Sequence, residues 1–152
     1  MRKSIIALTL LVSGATLSAE AGPAPAAPTC ANWGTADSAG VIRWDTRWAT
    51  VDGKEAAGAL TFTMARDGEL AGAWADSGAG SAVWSHRARP TGPTLRGAWG
   101  VSSTTPGGGF LLRRWATPSR GADGALYCSF DGEYTINGDH NRYKWSGWRR
   151  AN

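Results

Sequence analysis

The sequence is poor in the features that mark helices and membrane spans. Beyond the first 21 residues, no apolar run approaches the ~20 residues of a transmembrane helix. No segment repeats its apolar residues with the 3.6-residue period of an amphipathic helix. Glycine occurs 21 times and tryptophan 9 times among the 152 residues. This pattern predicts an all-β protein without a membrane span.

Cysteine is nearly absent, with only Cys30 and Cys128 in the chain. Their separation is far from the Cys-x-x-Cys spacing of a reactive thiol pair, and an isolated pair in an exported protein usually forms a disulfide. Such a bond would close a loop of about 100 residues and stabilise the fold by roughly 4.7 kcal/mol in the chain-entropy model. We therefore predict a structural Cys30–Cys128 disulfide.

The first 21 residues are typical of a secretory signal peptide. Arg2 and Lys3 give a positive start, an apolar run follows, and Ala19-Glu20-Ala21 has the small-x-small pattern of a cleavage site. A lipoprotein would carry a cysteine directly after that site, whereas Cys30 comes later. We expect a secreted or periplasmic protein. Its predicted parts are a signal peptide at 1–21, a Pro/Ala-rich linker and N-terminal segment at 22–40, and a β-barrel domain at 41–152.

The net charge of the predicted mature chain is small. Arg2, Lys3 and Glu20 fall within the signal peptide, so the 16 basic and 12 acidic residues of the whole chain become 14 and 11, a net charge of +3. The charges are scattered, and no block of five or six like charges occurs. A nucleic-acid-binding surface normally has a stronger basic stripe, so we expect no nucleic-acid partner.

A short sequence motif occurs twice in the middle of the chain. Leu70, Gly72 and Trp74 form Leu-x-Gly-x-Trp, and the same spacing recurs at 95–99. A glycine-rich stretch and a second apolar run follow each copy, which predicts two β-hairpins. Gly72 and Gly97 fall on the inward face, where a glycine would leave room for a large indole from an adjacent strand.

Alternating apolar and polar residues predict further strands at 41–50, 59–65, 126–136 and near the C terminus. Asp67-Gly68 and Asn137-Gly138 are typical hairpin turns. About eight strands suit an antiparallel meander barrel, because closure leaves no exposed sheet edge; a two-sheet β-sandwich is the alternative. The side chains predicted to point inward are those of Ile42, Trp44, Thr46, Trp48, Leu60, Phe62, Met64, Leu70, Trp74, Trp84, Leu95, Trp99, Phe110, Leu112, Leu126, Cys128, Phe130, Tyr134, Tyr143 and Trp145.

The tryptophans admit two interpretations. Most of them would fill the interior of a small barrel, or several would line a pocket for a sugar ring or another flat ligand, since eight strands leave room for at most one small ligand. Trp115 and Trp148 fall outside the inward register and lie next to arginines. Exposed tryptophans in that setting are typical contact residues.

Groups that would support catalysis or bind a metal are few. His86 is expected on the inward face and His140 in a solvated turn, and the two give no metal-ligand spacing, so we predict neither a metal nor a cofactor. Asp131 and Glu133 face the same way on one strand, which suits a carboxylate pair, but the face is the predicted outer one. No serine lies in a Gly-x-Ser-x-Gly setting.

Several short motifs resemble one group of proteins. They are Trp44-Asp45-Thr46-Arg47-Trp48, the two Leu-x-Gly-x-Trp copies, Gly109-Phe110-Leu111-Leu112 and Trp145-Ser146-Gly147-Trp148-Arg149. Between residues 44 and 149 the chain resembles a loose group of small exported Trp/Gly-rich β proteins of bacteria with no characterised function. The resemblance implies a shared fold more than a shared activity. The pair of Cys30 and Cys128 is not part of that group's pattern.

We expect a non-catalytic binding or cell-envelope interaction module whose partner is a small ligand, a glycan or a secreted protein. The predicted contact residues are Trp115, Trp148, Arg113, Arg149 and Arg150. An alternative on the same surface is that a bulge at Gly147 turns Trp148 into the core while Trp115 caps the barrel end. Two alternative functions are an inhibitor of a secreted hydrolase and a hydrolase that uses the Asp131–Glu133 pair.

Overall fold

The computed structural model describes residues 27–76, 80–83, 88–101 and 107–151. Within them it has ten β-strands and no helix, so no helix of this part is long and apolar enough to cross a membrane. The predicted signal peptide, residues 22–26 of the linker, residues 78 and 79 of the first glycine-rich turn, Trp84 and His86 lie outside the described residues. The strands are β1 (Val41–Ala49), β2 (Glu55–Met64), β3 (Leu70–Asp76), β4 (Gly80–Val83), β5 (Arg89–Thr91), β6 (Thr94–Trp99), β7 (Gly108–Arg114), β8 (Ser119–Arg120), β9 (Leu126–Tyr134) and β10 (Tyr143–Arg150).

The strands form one antiparallel sheet that curves into a nearly closed barrel. Their order is β4-β3-β2-β1-β10-β9-β7-β6-β5, and the short β8 pairs with β9. A bridge between Leu70 and Ala88 then joins β3 to the residue that precedes β5. Since β4 and β5 both lie between β3 and β6, the barrel has eight strand positions. The predicted antiparallel meander barrel is confirmed, and the two-sheet sandwich is not formed.

Apolar side chains, many of them aromatic, fill the interior, as the strand alternation predicts. On β1 the buried side chains are those of Ile42, Trp44, Thr46 and Trp48, and the residues between them are exposed. Trp145 is buried near the barrel centre, where its ring centroid lies 4.8 Å from that of Trp74 and 6.0 Å from that of Phe110. Edge-to-face pairs of this kind add to the free energy gained from burying the rings.

Two details differ from the sequence prediction. Met64 is 50% exposed and not part of the interior, because it is the last residue of β2 and lies at the rim beyond the packed rings. Gly97 does make room for a neighbouring ring, but the ring is the phenyl group of Phe110 and not an indole. A Cβ atom at Gly97 would lie 2.6 Å from Cζ of Phe110.

The N-terminal segment closes one end of the barrel. Cys30 forms the predicted disulfide with Cys128, and both residues are fully buried. Trp33 is only 3% exposed, and its backbone oxygen accepts a hydrogen bond of 2.9 Å from the indole of Trp44. The part of segment 22–40 that contains these residues therefore belongs to the core.

Candidate functional site

Trp115 and Trp148 lie on the same outer surface of the barrel. Trp148 of β10 is the strand partner of Ser129 on β9, and the backbone N–H of Trp115, directly after β7, donates to the carbonyl oxygen of Ser129. The two tryptophans thus flank one residue of β9 from opposite sides. Two strand spacings separate their backbones, about 9.5 Å.

Trp115 is held in place by polar neighbours although its side chain is 50% exposed. Its indole N–H donates to Oδ2 of Asp131 at 2.8 Å. The guanidinium carbon of Arg113 lies 6.0 Å from the ring centroid, at the outer limit of a cation–π contact. Arg113 and Asp131 are themselves strand partners across β7 and β9. The arrangement leaves much of the indole exposed while fixing its orientation.

Trp148 has a cation as its neighbour. The guanidinium carbon of Arg47, on β1, lies 5.4 Å from the centroid of the Trp148 ring. Arg47 also pairs with Glu55 at 3.3 Å. We use the name aromatic face for the surface formed by Trp115, Trp148, Arg113, Arg47 and Asp131.

Three surface grooves adjoin the aromatic face. One of about 910 Å³ is bordered by Arg47, Arg113, Asp131, Glu133, Arg142 and Lys144. A second of about 570 Å³ adjoins Trp115, and a third of about 640 Å³ adjoins Trp148. Each indole therefore borders an open recess on the outer surface.

Some of the charged side chains around the first groove have partners and others do not. Glu133 is paired with Arg142, and Asp131 accepts the indole N–H of Trp115. Arg113 and Lys144 form no ion pair with a carboxylate of the described residues. Their positive charge therefore remains available to an anionic ligand.

Comparison with known protein families, curated proteins and solved structures found no match to this chain.

Of the five predicted contact residues, four point outward and one, Arg149, does not. Trp115, Trp148 and Arg113 share the aromatic face. Arg150 also points outward, but it pairs with Asp123 at 3.2 Å. Hydrogen bonds with Tyr127 and Asp123 raise the pKa of Arg150.

Arg149 is not brought to this surface. Its guanidinium carbon lies 5.5 Å from the ring centroid of Trp44, inside the barrel. Successive side chains of a strand point to opposite faces, so an outward Trp148 requires an inward Arg149. No bulge occurs at Gly147, because the register of β10 with β1 and β9 runs unbroken through it.

The predicted carboxylate pair lies on β9 with both side chains facing outward. Asp131 is exposed, and Glu133 is partly exposed with its carboxylate paired to Arg142. His140 lies in the exposed connection between β9 and β10, outside both strands. Arg47 was not among the predicted contact residues. Its outward position follows from the alternation on β1, where Arg43 and Arg47 are both exposed.

Proposed function

We propose that this chain is an exported, non-catalytic binding protein that holds a glycan on its aromatic face. The observation that carries the proposal is the placement of two indoles on one outer surface, two strand spacings apart, with Arg113, Asp131 and Arg47 beside them. A sugar ring has apolar C–H groups on its face and hydroxyl groups at its edge. An indole packs against the C–H face, and charged side chains form hydrogen bonds with the hydroxyl groups.

The charges favour a glycan that carries carboxylates. Arg113 stands beside the Trp115 ring and has no ion-pair partner among the described residues. Lys144 borders the neighbouring groove and likewise has no ion-pair partner there. A guanidinium group binds a carboxylate through two parallel hydrogen bonds. An acidic sugar stacked on Trp115 would place its carboxylate within reach of Arg113.

Export is supported by two independent features. The predicted signal peptide directs the chain out of the cytoplasm, and the Cys30–Cys128 disulfide is of a kind that persists in oxidising compartments. The proposal therefore places the protein in the periplasm or outside the cell, where polysaccharides are abundant.

The two alternative functions have weaker support. A hydrolase would need Asp131 and Glu133 in a site that excludes water, whereas both lie on the outer face with partners of their own. An inhibitor of a secreted hydrolase would use Trp115 and Trp148 as anchors in the same way as a glycan-binding protein. The experiment below separates it from the glycan proposal.

The test is a calorimetric titration of the mature chain with an oligogalacturonide and, separately, with a neutral cello-oligosaccharide of equal length. We expect tighter binding of the acidic chain. Trp115→Ala and Trp148→Ala should each weaken it at least about tenfold, equivalent to about 1.4 kcal/mol. Arg113→Gln should remove the preference for the acidic chain.

Two control variants remove similar groups elsewhere. Val101→Ala truncates a side chain that is 76% exposed outside the aromatic face, and Arg43→Gln removes a positive charge from the outer surface of β1. Both should bind like the unmodified chain. Unchanged affinity in both tryptophan variants would overturn the proposal. Binding of a secreted hydrolase without binding of any glycan would favour the inhibitor.

A further inference from the structure

Two arginines point into the barrel at the end that the N-terminal segment covers. Arg114 of β7 is only 6% exposed, and Arg149 of β10 is partly buried. They flank β9 from opposite sides, since Arg114 is the strand partner of Phe130 and Arg149 the partner of Cys128. Phe130 and Cys128 are two residues apart and both point inward. Both side chains therefore enter the interior beside the same short stretch of β9.

The N-terminal segment lies over this region. The disulfide ties Cys30 to Cys128, and the Cys30 backbone N–H donates to the carbonyl oxygen of Ala116. Trp33 packs beneath, with its ring centroid 5.9 Å from that of Phe130. Nη2 of Arg114 donates to the carbonyl oxygen of Ala31 at 2.9 Å. One of the two arginines is thus bonded directly to the segment that covers it.

The buried side-chain polar atoms of this region that lack a hydrogen-bond partner are all donors. Nε and Nη1 of Arg114, Nε of Arg149 and Nε1 of Trp33 are buried, and none has a hydrogen-bond partner in the described residues. Buried polar groups in folded proteins are nearly always hydrogen-bonded. A buried donor without an acceptor costs free energy, and a buried charge without a counter-charge costs more.

No carboxylate balances the two charges. Neither Arg114 nor Arg149 forms an ion pair with a carboxylate of the described residues. The nearby inward side chains are apolar, and the guanidinium group of Arg149 lies against the ring of Trp44 and beside Gly34. Burial lowers the pKa of both guanidinium groups, yet arginine keeps its charge in proteins.

We propose that the covered end of the barrel is an anion site, in which Arg114, Arg149 and the Trp33 indole N–H together hold one small oxoanion. An oxoanion supplies several acceptor oxygens at once, and the planar fork of a guanidinium group matches their spacing. The ligand must be small, because the rings of Trp33, Trp44 and Phe130 pack against one another within 6.0 Å. Phosphate, sulfate and a short carboxylate share the required chemistry.

This site is independent of the aromatic face. Arg114 and Arg149 point inward, whereas Arg113 points outward on the same strand as Arg114. Loss of glycan binding would leave the internal site intact, and loss of the internal site would not remove the outer indoles.

The experiment measures the melting temperature and tryptophan fluorescence of the mature, disulfide-bonded chain as sodium sulfate or phosphate is added. Sodium chloride keeps the ionic strength constant. We expect a saturable rise of the melting temperature, of about 5 °C or more at a hundred times Kd. Fluorescence should change with the same midpoint, because Trp33 and Trp44 border the site. Short carboxylates, tested in parallel, identify the preferred anion.

Arg149→Gln should abolish the saturable response, and Arg149→Lys should weaken it because an ammonium group lacks the fork. Arg43→Gln, which removes an exposed charge from β1, should respond like the unmodified chain. Arg114→Gln is informative if it folds, but the partly buried Arg149 variants are sufficient. The proposal is overturned if no added anion gives a saturable response. It is equally overturned if Arg149→Gln and Arg43→Gln respond alike.

Discussion

Replacing Gly147 with alanine should reveal how tightly the barrel interior is packed. A Cβ atom at this inward position of β10 would lie 2.5 Å from Cζ of Phe130 and closer still to Cε1. The Phe130 ring cannot easily move, because it is fully buried and lies 5.3, 5.9 and 6.4 Å from the ring centroids of Trp44, Trp33 and Trp145. Overpacking of this kind typically costs about 1–3 kcal/mol, so we expect Gly147→Ala to lose that much stability.

Gly109→Ala on β7 is the matched control. A Cβ atom there has its nearest neighbours at 3.6 Å, Oγ1 of Thr135, and at 3.7 Å, the oxygen of Gly97, which are ordinary contacts. An alanine that fits the native backbone stabilises a protein by about 0.4–1 kcal/mol, chiefly by restricting the unfolded chain. The two variants should therefore differ by roughly 1.5–4 kcal/mol.

The assay is urea unfolding of both variants, followed by tryptophan fluorescence and analysed with a common m-value. A difference below about 0.5 kcal/mol, the usual scatter of surface substitutions, would refute the reasoning. It would mean that Phe130 can shift within the core at little cost.

Trp44→Ala should lower the free energy of unfolding by roughly 3–5 kcal/mol, because Trp44 is fully buried. Trp115→Ala should lower it much less, because Trp115 is half exposed. Equal large losses in urea unfolding would show that Trp115 is a core residue. Stability should also depend on the bond that the Tyr143 hydroxyl donates to Oδ2 of Asp139 at 2.5 Å, which lowers the pKa of Asp139 and raises the pKa of Tyr143. The contribution is present between the unfolded pKa values of about 3.9 and 10, and is lost below that window as Asp139 is protonated and above it as Tyr143 ionises. Tyr143→Phe should therefore flatten both limbs of the melting temperature measured from about pH 2 to pH 11, and an unchanged profile would contradict the assignment.

Most of the architecture could be read from local pattern because a strand has a side-chain period of two. The alternation around Trp44 and Trp145 places both indoles inward, and the structure buries both. The same rule places Trp115 and Trp148 outside, where the structure has them. Applied consistently, it also excludes Arg149 from the surface of Trp148, since neighbours on a strand point to opposite faces.

The composition of the aromatic face could not be read in the same way. Asp131 meets Trp115, and Arg47 meets Trp148, through pairing between strands that are distant in sequence. A strand's own sequence indicates its faces, but the partner residues depend on register, which is set by turns and by burial across the whole barrel. Gly97 illustrates the same limit: the need for space was visible, whereas the ring that occupies it was not.

The sequence by itself determined the fold class, the faces of the strands and the disulfide, because alternation, turn residues and a lone cysteine pair are local or compositional signals. Only the tertiary structure decided that Trp33 is buried in the core, and that Arg114 and Arg149 both point into the end of the barrel beside residues 30–34. Those placements depend on barrel closure, which brings β7, β9 and β10 around one end. Long-range packing of this kind leaves no mark in the spacing of the residues concerned.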